Sequence, residues 1–382
     1  MIAVGLISGT SLDGIDAALV RIVPTARSYE FEIQAFATVP YEPRLAQRLR
    51  DVLPPNRVGV QAVAQLHRDL GVAFGQAAAS VAGDQRIDYI ASHGQTIFHA
   101  GEDALSLQIG DAFRIRELLQ TTVIYDFRSA DCAAGGHGAP LVPYVDALLL
   151  GCADENRVAV NIGGIANLTF LAAGVSPQGA VAFDSGPGNM LIDVFVRERS
   201  SAAASYDENG ANAARGRPDQ ALLAQMLADP YFAASGPKST GHERFGTVFV
   251  QRYARELAQL TLEDGAATLT ELTAISLAEA VTGIAPHASR VLLSGGGVHN
   301  QHLVRRLRER LTGYHVETSQ TMGVPVDAKE ALAFAVLGYE TLRGRAAGLP
   351  GVTGARHASL LGALAPHDLP ALLRKVHAEC RQ

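Results

Sequence analysis

The sequence has few cysteines and no excess of positive charge, and both absences exclude classes of protein. Its three cysteines, Cys132, Cys152 and Cys380, are an odd number at wide spacing. Such spacing fits neither a disulfide framework nor a zinc site built from paired cysteines. The formal net charge of -6 is not that of a protein that neutralises many nucleic-acid phosphates. We therefore expect a reducing, cytoplasmic environment and no nucleic-acid partner.

Long apolar runs are also missing. No run approaches the roughly 20 residues that a helix needs to cross a bilayer, so we expect no membrane partner. Residues 1–7 have no positive stretch before their apolar side chains and are not expected to form a signal peptide. The 382 residues, 48% hydrophobic and 18% charged, are typical of a globular protein long enough for two domains with separate cores.

Two common nucleotide-binding motifs are absent. Residues 236–240 resemble a P-loop, but Pro237 stands where that motif requires glycine. Residues 186–191 contain the first two glycines of a dinucleotide fingerprint, but Leu191 occupies the position of the third. Any phosphate-binding role must therefore rest on other glycine turns.

Three such turns follow apolar strand patterns, at residues 9–14, 163–167 and 295–297. Backbone amides in a glycine turn can approach phosphate oxygens closely, because no side chain intervenes. Taken singly, each turn is more simply a tight turn at a strand end. Their order along two similarly built halves instead predicts phosphate-binding hairpins in a duplicated α/β architecture with a cleft between the halves.

The hydrophobic pattern also predicts domain boundaries and helices. We expect an N-terminal domain over residues 1–137 and a C-terminal domain over 138–354, with a helix at about 355–382 that could pack back on the first domain. The apolar spacing predicts two helices over residues 248–262 and 269–284. Thr268 and Glu271 have the spacing of a capping box at the start of the second helix.

Asp184 is the candidate catalytic residue. It follows a predicted strand and precedes a glycine turn, where a general base can face a bound phosphate. The alternative is a helix-capping aspartate, because a helical pattern follows it. Asp13 and Asp16 pose a similar choice between magnesium or phosphate contacts and ordinary turn or edge-strand carboxylates. Because Asp13 lies within the first glycine turn, it is the better candidate of the two for a magnesium or phosphate contact.

Two further residues are candidates for binding a substrate. His93 has no partner at metal-ligand spacing, so a hydrogen bond to a sugar is favoured over a metal site. Arg128 follows Asp126 closely and could clamp a carboxylate through its planar guanidinium. The alternative for Arg128 is a local ion pair.

Together these motifs resemble those of the anhydro-N-acetylmuramic acid kinases over nearly the whole chain. The matching segments are residues 9–16, 92–96, 126–128, 138–143, 161–167, 183–189, 237–241, 294–297, 329–334 and 352–355. The resemblance implies a two-domain actin-like ATPase (ribonuclease H-like) fold with duplicated halves and an interdomain cleft. It also implies a homodimer.

The reaction implied by the resemblance couples hydrolysis to phosphoryl transfer in peptidoglycan recycling and amino-sugar catabolism. The 1,6-anhydro ring of 1,6-anhydro-N-acetylmuramic acid is opened by water and its O6 is phosphorylated by ATP, which gives N-acetylmuramic acid 6-phosphate and ADP. Asp184 would be the general base. Mg²⁺ would be held mainly by the ATP phosphates, with Asp13 as a candidate ligand.

The same resemblance assigns binding residues. Those for ATP are Gly9, Thr10, Ser11, Leu12, Asp13, Gly14, Ile15, Asp16, Asn161, Gly163, Gly164, Asn167, Ser294, Gly295, Gly296 and Gly297. Those for the sugar are His93, Gln95, Thr96, Arg128 and Glu330. The sequence departs from the family pattern at His137, Asp146 and His242, where glutamine, histidine and arginine are usual.

Two other functions fit the same fold. An ordinary sugar or polyol kinase would use the aspartate to deprotonate the acceptor hydroxyl instead of a water. An actin-like or chaperone-like ATPase would have no small-molecule acceptor, and its ATP turnover would not respond to sugar.

Overall fold

The computed structural model describes residues 1–9, 12, 14–25, 29–53, 58–200, 204–234, 238–285 and 290–380, and for residues 242 and 243 the backbone alone. The chain forms two compact units. Unit 1 contains residues 1–149 and 328–382, and unit 2 contains residues 150–327. These boundaries, after residues 149 and 327, differ from the domain boundaries predicted after residues 137 and 354.

The sheet of unit 1 is built around its first strand. Strands β1 to β3 form an antiparallel meander, β4 and β6 continue the sheet in parallel on the other side of β1, and β12 closes that edge antiparallel to β6. Strand β5 pairs with the far end of β4. The strands are β1 (Ile2–Ser8), β2 (Gly14–Pro24), β3 (Tyr29–Pro40), β4 (Tyr89–Ala100), β5 (Leu105–Ile109), β6 (Val123–Tyr125) and β12 (Ala363–Ala365).

Helices cover both faces of this sheet. They are α1 (Pro43–Val52), α2 (Val60–Ala82), α3 (Ala112–Leu119), α4 (Ser129–Ala133), α5 (Val142–Leu150), α15 (Lys329–Leu342), α16 (Pro350–Thr353) and α17 (Leu369–Glu379). Val4 and Leu6 of β1 share a core with α2. Gly5 faces the opposite way, because side chains alternate along a strand. A Cβ at Gly5 would lie 1.8 Å from the carbonyl oxygen of Ala331 in α15, so only glycine allows this close packing.

The sheet of unit 2 repeats this arrangement. Strands β7 to β9 form an antiparallel meander, and β10 and β11 extend the sheet in parallel from β7. The strands are β7 (Arg157–Ile162), β8 (Ile165–Leu171), β9 (Val181–Pro187), β10 (Arg290–Ser294) and β11 (His315–Thr318). Because both sheets have the same order around a central first strand, the predicted α/β fold with duplicated, ribonuclease H-like halves is confirmed.

The helices of unit 2 follow β9 for the most part. They are α6 (Met190–Arg199), α7 (Ala211–Arg215), α8 (Gln220–Leu227), α9 (Pro230–Ala233), α10 (His242–Phe245), α11 (Thr247–Arg252), α12 (Ala254–Ala258), α13 (Leu262–Ile284) and α14 (Gln301–Arg310). Unit 2 also contains short 3₁₀ helices at Pro177–Gly179, Glu208–Gly210, Gly296–His299 and Ser319–Met322, and unit 1 contains one at Gly101–Asp103. No described helix combines the length and the apolar character that crossing a membrane would require.

The predicted helix over residues 248–262 is wrong as a single element. Helix α11 ends at Arg252 and α12 begins at Ala254, with Tyr253 between them. The amide of Tyr253 bonds to the carbonyl of Val250, three residues earlier, which is a 3₁₀-type bond. Phe249 and Val250 before this break and Leu257 after it are all buried, so the apolar spacing alone does not reveal the break.

The capping box predicted at Thr268 and Glu271 is also wrong. Both residues lie inside α13, whose N-cap is Thr261, and the hydroxyl of Thr261 accepts a hydrogen bond from the amide of Asp264. Glu271 instead forms ion pairs with Arg306 and Arg310 of α14. The capping-box spacing therefore belonged to a contact between two helices.

Asp193 on α6 provides a test of how burial affects stability. Burial raises the pKa of Asp193 to about 7 from a usual value of 3.8. The folded protein thus binds the proton more tightly than the unfolded chain, and this contribution to stability is lost as the pH rises from about 4 to about 7. We expect Asp193→Asn to match the wild type at pH 4 and to exceed its unfolding free energy at pH 8 by about 1–3 kcal/mol, since some exposure weakens the full effect.

Urea unfolding of both proteins at the two pH values measures this difference. Asp103→Asn, at an exposed aspartate, is the control and should show no such dependence. An Asp193→Asn variant that is equally stable to the wild type at pH 8 would contradict the prediction.

Candidate active site

The residues predicted to bind or react lie in both units. Unit 1 contains Gly9, Leu12, Gly14, Ile15, Asp16, His93, Gln95, Thr96, Arg128 and Glu330, and unit 2 contains Asn161, Gly163, Gly164, Asn167, Asp184, Ser294, Gly295, Gly296 and Gly297. Three of the predicted residues, Thr10, Ser11 and Asp13, lie outside the described residues.

In unit 2 the turn between β7 and β8 is tied to the start of α6. Asn161 and Asn167 face each other across the two strands below the turn. The carbonyl oxygen of Gly163 accepts a hydrogen bond from the amide of Asn189 at 2.8 Å, and that of Gly164 accepts one from the amide of Gly188 at 2.8 Å. The turn therefore has a fixed conformation that does not depend on side chains of its own.

Asp184 lies beside this turn, because β8 places Asn167 opposite Asp184 of β9. The pairing shifts by one residue at this point, since Ala166 faces Gly186. Ser185 is thus the extra residue of a β-bulge, and its hydroxyl donates to the carbonyl of Ala166 at 3.0 Å. Bulges of this kind are over-represented beside active sites, where they redirect a side chain.

The environment of Asp184 decides between its two interpretations. Strand β9 continues through Pro187, and the N-cap of α6 is Asn189, so Asp184 does not cap this helix. Its side chain is half-buried, and the Oδ2 atom accepts a hydrogen bond from the amide of Thr240 at 2.9 Å. A carboxylate with a fixed direction at the edge of a glycine turn can accept a proton from a water or hydroxyl.

The third glycine turn packs against the first strand of unit 2. Ser294, at the end of β10, is opposite Asn161, and its hydroxyl donates to the carbonyl of Val160 at 3.1 Å. Gly295 has a φ of 81°, and a Cβ there would lie 2.6 Å from the Oδ1 atom of Asn161. A Cβ at Gly296 would meet nothing within 4 Å. All nine predicted residues of unit 2 thus lie near the same end of its neighbouring strands β7 to β10.

In unit 1 the first glycine turn joins β1 to β2. The hydroxyl of Ser8 donates to the carbonyl of Gly14 at 2.8 Å and so links the two ends of the turn. Leu12 has a φ of 56°, in the left-handed region. Asp16 lies on β2, where its Oδ1 atom accepts a hydrogen bond from the hydroxyl of Thr38 on β3 at 2.6 Å.

His93, Gln95 and Thr96 lie within β4 and not in a loop. Strand β4 extends through them to Ala100, because its pairing passes from β1 to β5 at Gln95. The side-chain amide of Gln95 donates to the carbonyl of Gly9 at 3.4 Å, which connects β4 to the first glycine turn. Among the described residues the buried Oε1 atom of Gln95 has no hydrogen-bond partner. A buried acceptor of this kind is satisfied when a ligand donates to it.

His93 and Arg128 are hydrogen-bonded to each other. The Nε atom of Arg128 donates to the Nε2 atom of His93 at 3.0 Å, so His93 is neutral and carries its proton on Nδ1, which lies 3.0 Å from the carbonyl oxygen of Gly94. Burial and the neighbouring guanidinium hold the pKa of His93 well below its usual value. The Nη1 atom of Arg128 donates to the carbonyl of Gly138 at 2.7 Å.

Among the described residues no ion pair joins Arg128 to Asp126, whose Oδ1 atom instead accepts from the amide of Ser129 at 3.2 Å. Burial lowers the pKa of Arg128 to about 10, and the charge of Glu330 opposes this shift. The guanidinium is therefore still charged at neutral pH. His93, Arg128 and Glu330 form one polar group, with the ring of Phe334 at 4.6 Å from that of His93.

Asp146, which departs from the family pattern, forms a buried ion pair. Its Oδ1 atom lies 2.8 Å from the Nζ atom of Lys329, and the two side chains are 7% and 5% exposed. Lys329 is the residue before Glu330 at the start of α15. The departure at Asp146 is therefore matched by a cation, whereas the side chain of His242 lies outside the described residues.

Sequence reasoning assigned no role to Tyr231, Lys238 or Thr240, yet all three contact Asp184. The hydroxyl of Tyr231 donates to the carbonyl of Asp184 at 2.8 Å, and the amide of Asp184 donates to the carbonyl of Lys238 at 2.9 Å. Lys238 and Thr240 belong to residues 237–241, a segment that matches the family, and this match was the signal that could have pointed to them. Tyr231 gives no signal in the sequence.

Comparisons with known proteins identify the family. The family model described as anhydro-N-acetylmuramic acid kinase matches residues 1–367. The anhydro-N-acetylmuramic acid kinase of Xanthomonas axonopodis pv. citri (strain 306) is 45% identical over 370 residues, which cover 95% of this chain and 97% of that relative. The enzyme of the same name from Synechococcus elongatus (strain ATCC 33912 / PCC 7942 / FACHB-805) is 42% identical over 372 residues, which cover 95% of this chain and 98% of the relative.

A solved structure is less similar. The ROK family glucokinase from Streptomyces griseus, in complex with glucose and AMPPNP, has a TM-score of 0.39 and 12% identity, with 88% of this chain and 99% of that chain covered. A similarity at this level carries no argument about function. The family model and the two relatives, by contrast, match nearly the whole chain, and the chain belongs to the anhydro-N-acetylmuramic acid kinase family.

Proposed function

We propose that this chain is an ATP-dependent kinase that hydrolytically opens the ring of 1,6-anhydro-N-acetylmuramic acid and phosphorylates its O6, in peptidoglycan recycling. The products are N-acetylmuramic acid 6-phosphate and ADP. The observation that carries the proposal is the Asp184 carboxylate, held by the amide of Thr240 beside the β7–β8 glycine turn in a chain that belongs to this family. A base beside a phosphate-binding turn is what this reaction needs.

Asp184 acts as the general base on water. As the water oxygen bonds to the anomeric carbon, its proton passes to Asp184 and the bond between that carbon and O6 breaks. O6 leaves with the electron pair and attacks the γ-phosphorus, and ADP leaves. The proton on Asp184 is later released to solvent. Hydrolysis thus creates the nucleophile for phosphoryl transfer.

The glycine turns provide the backbone amides for ATP. We assign the phosphates to the turn at residues 9–14 and to the turn at Gly163 and Gly164, and the adenosine to residues 294–297. Mg²⁺ neutralises charge on the phosphates when it is bound. Mg²⁺ in kinase sites is bound through substrate phosphates with one or two carboxylates, so we assign it mainly to the phosphates themselves. Asp13 remains the candidate protein ligand.

The polar group of unit 1 fits the sugar. The buried Oε1 atom of Gln95 offers an acceptor to a hydroxyl group, with Thr96 as its neighbour on β4. Both ring nitrogens of His93 are bonded within the protein, so we assign His93 the orientation of Arg128 beside the sugar. Charged Arg128 suits the lactyl carboxylate of the substrate. Glu330 provides an acceptor for a donor on the sugar. We further propose that the protein acts as a homodimer in the cytoplasm.

Replacement of the proposed base tests the mechanism. We expect Asp184→Asn to lower kcat by at least about 100-fold, because the base is lost, while ATP affinity changes by less than about threefold. Steady-state kinetics and calorimetric titration with ATP measure the two effects. Asp154→Asn, at an exposed aspartate of the same unit, is the control and should retain wild-type rates. Wild-type turnover in Asp184→Asn would refute the assignment.

Labelled water distinguishes this reaction from that of an ordinary sugar kinase. In oxygen-18 water we expect one label at the anomeric hydroxyl of the phosphorylated product, because water attacks that carbon. Mass spectrometry of the product measures the label. A control sample of unlabelled product, kept in the same water, corrects for chemical exchange. Absence of the label above this control would exclude the hydrolytic mechanism, and ATP turnover without sugar would favour a simple ATPase.

Substitutions at two adjacent glycines test nucleotide binding and stability separately. We expect Gly295→Ala to lower the unfolding free energy by roughly 1–3 kcal/mol, because its Cβ would collide with Asn161 and its φ is positive. Gly296→Ala should leave stability within about 0.5 kcal/mol but raise the KM for ATP severalfold, because the new methyl group points into open space where the nucleotide is proposed to lie. Unchanged ATP kinetics in a stable Gly296→Ala protein would place the adenosine elsewhere.

A further inference from the structure

Asp184 is attached by three hydrogen bonds to Tyr231, Lys238 and Thr240 of unit 2. Two of these hold its backbone: Tyr231 donates from its hydroxyl to the Asp184 carbonyl at 2.8 Å, and Lys238 accepts from the Asp184 amide at 2.9 Å. The third holds the carboxylate, whose Oδ2 atom accepts from the amide of Thr240 at 2.9 Å. The direction of the proposed base therefore depends on the positions of these three residues.

The backbone of Tyr231 is itself held on both sides, through its amide and its carbonyl. Its backbone amide donates to the Oδ1 atom of Asp229 at 3.0 Å, and its carbonyl accepts from the Nζ atom of Lys238 at 2.8 Å. The same ammonium lies 4.5 Å from the centre of the Tyr231 ring. The ring meets that of Phe245 edge-on at 5.2 Å. Tyr231 thus contacts Asp229, Lys238 and Asp184 at once.

Asp229 anchors this arrangement with charge. Its side chain is only 3% exposed and forms ion pairs with Arg244 and with Arg252, the latter at 3.0 Å. Burial tends to raise the pKa of Asp229, but hydrogen bonds from Arg244 and from the amide of Tyr231 hold it below its usual value. Asp229 is therefore ionised at neutral pH, and its pairing with two arginines resists displacement of Tyr231, whose amide it binds.

We propose that Tyr231 is a positioning residue for the general base: its hydroxyl holds the backbone at Asp184 so that the amide of Thr240 can bind the carboxylate, and the cluster of Asp229, Arg244 and Arg252 keeps Tyr231 in place. The proposal rests on the proposed role of Asp184. It adds a residue that does not touch substrate but determines how well the base works.

Tyr231→Phe tests the proposal because it removes one hydroxyl and keeps the ring packing. We expect kcat to fall by about 10-fold or more, with the KM values for ATP and sugar within about twofold. The acidic limb of the pH profile of kcat should also move to higher pH, because a weakened hydrogen bond from Thr240 stabilises the ionised carboxylate less. A purely structural role would lower stability without moving this limb.

Tyr253→Phe is the matched control. Tyr253 is in the same unit, and its hydroxyl also donates to a backbone carbonyl, that of Gln225 at 3.3 Å. It has no part in holding Asp184, so its removal should leave both kcat and the pH profile unchanged. Thermal unfolding of the two variants compares the cost of losing each hydrogen bond.

A crystal structure of Tyr231→Phe provides a readout that does not depend on activity. We expect the hydrogen bond from the Thr240 amide to the Asp184 Oδ2 atom to be lengthened or lost. An unchanged bond would overturn the positioning role even if the wild type proved inactive toward every sugar, which would refute the proposed function alone. Wild-type kcat and an unshifted pH profile in an active Tyr231→Phe enzyme would also overturn it.

Discussion

The candidate active site depends on the β-bulge at Ser185. Side chains alternate along a strand, so a shift of one residue in the pairing of β8 with β9 moves every later side chain to the other face. With the extra residue, Asp184 is opposite Asn167 while Gly188, beyond the bulge, still donates to the Gly164 carbonyl. Without it, the carboxylate and the glycine turn could not both keep their present partners. One unpaired residue thus brings the proposed base and the proposed phosphate-binding turn together.

The strands and glycine turns could be predicted because their signals are local. The apolar runs at residues 2–8, 157–162 and 291–294 each end in glycine within a few positions, and all three are strands. The limits of β4 and β9 could not be predicted in the same way. Both strands continue through polar residues that pair with a neighbouring strand, and the pairing partner is not visible in a local pattern. His93 and Asp184 therefore lie within strands, not after them.

The misplaced capping box has a similar cause. Thr268 and Glu271 have the spacing of a cap, but Glu271 meets two arginines that follow it by 35 and 39 residues. A single sequence does not distinguish a local hydrogen bond from a contact between helices, because the same side-chain types serve both. The first turn of α13 could be recognised only once Thr261 was seen to accept from Asp264.

The parts of the candidate site that were missed are those held by distant contacts. Asp146 was noticed as a departure from the family pattern, but its partner Lys329 lies far along the chain and explains it only in the structure. Tyr231 meets Asp184 across 47 residues of sequence. Family resemblance assigned residues that would touch substrate, whereas the side chains that support them follow from packing.

Unit 1 is discontinuous in sequence, and this affects the order in which the protein can fold. Helix α15 lies directly against Gly5, and β12 pairs with β6, so the first unit lacks a buried helix and an edge strand until the last 55 residues have been synthesised. Unit 2 is one uninterrupted segment and is complete earlier. Domains made on a ribosome usually fold from the N-terminal side. Here unit 2 can reach its native structure first. The strands of unit 1 are synthesised before unit 2 but can complete their packing only after α15 and β12 have been made.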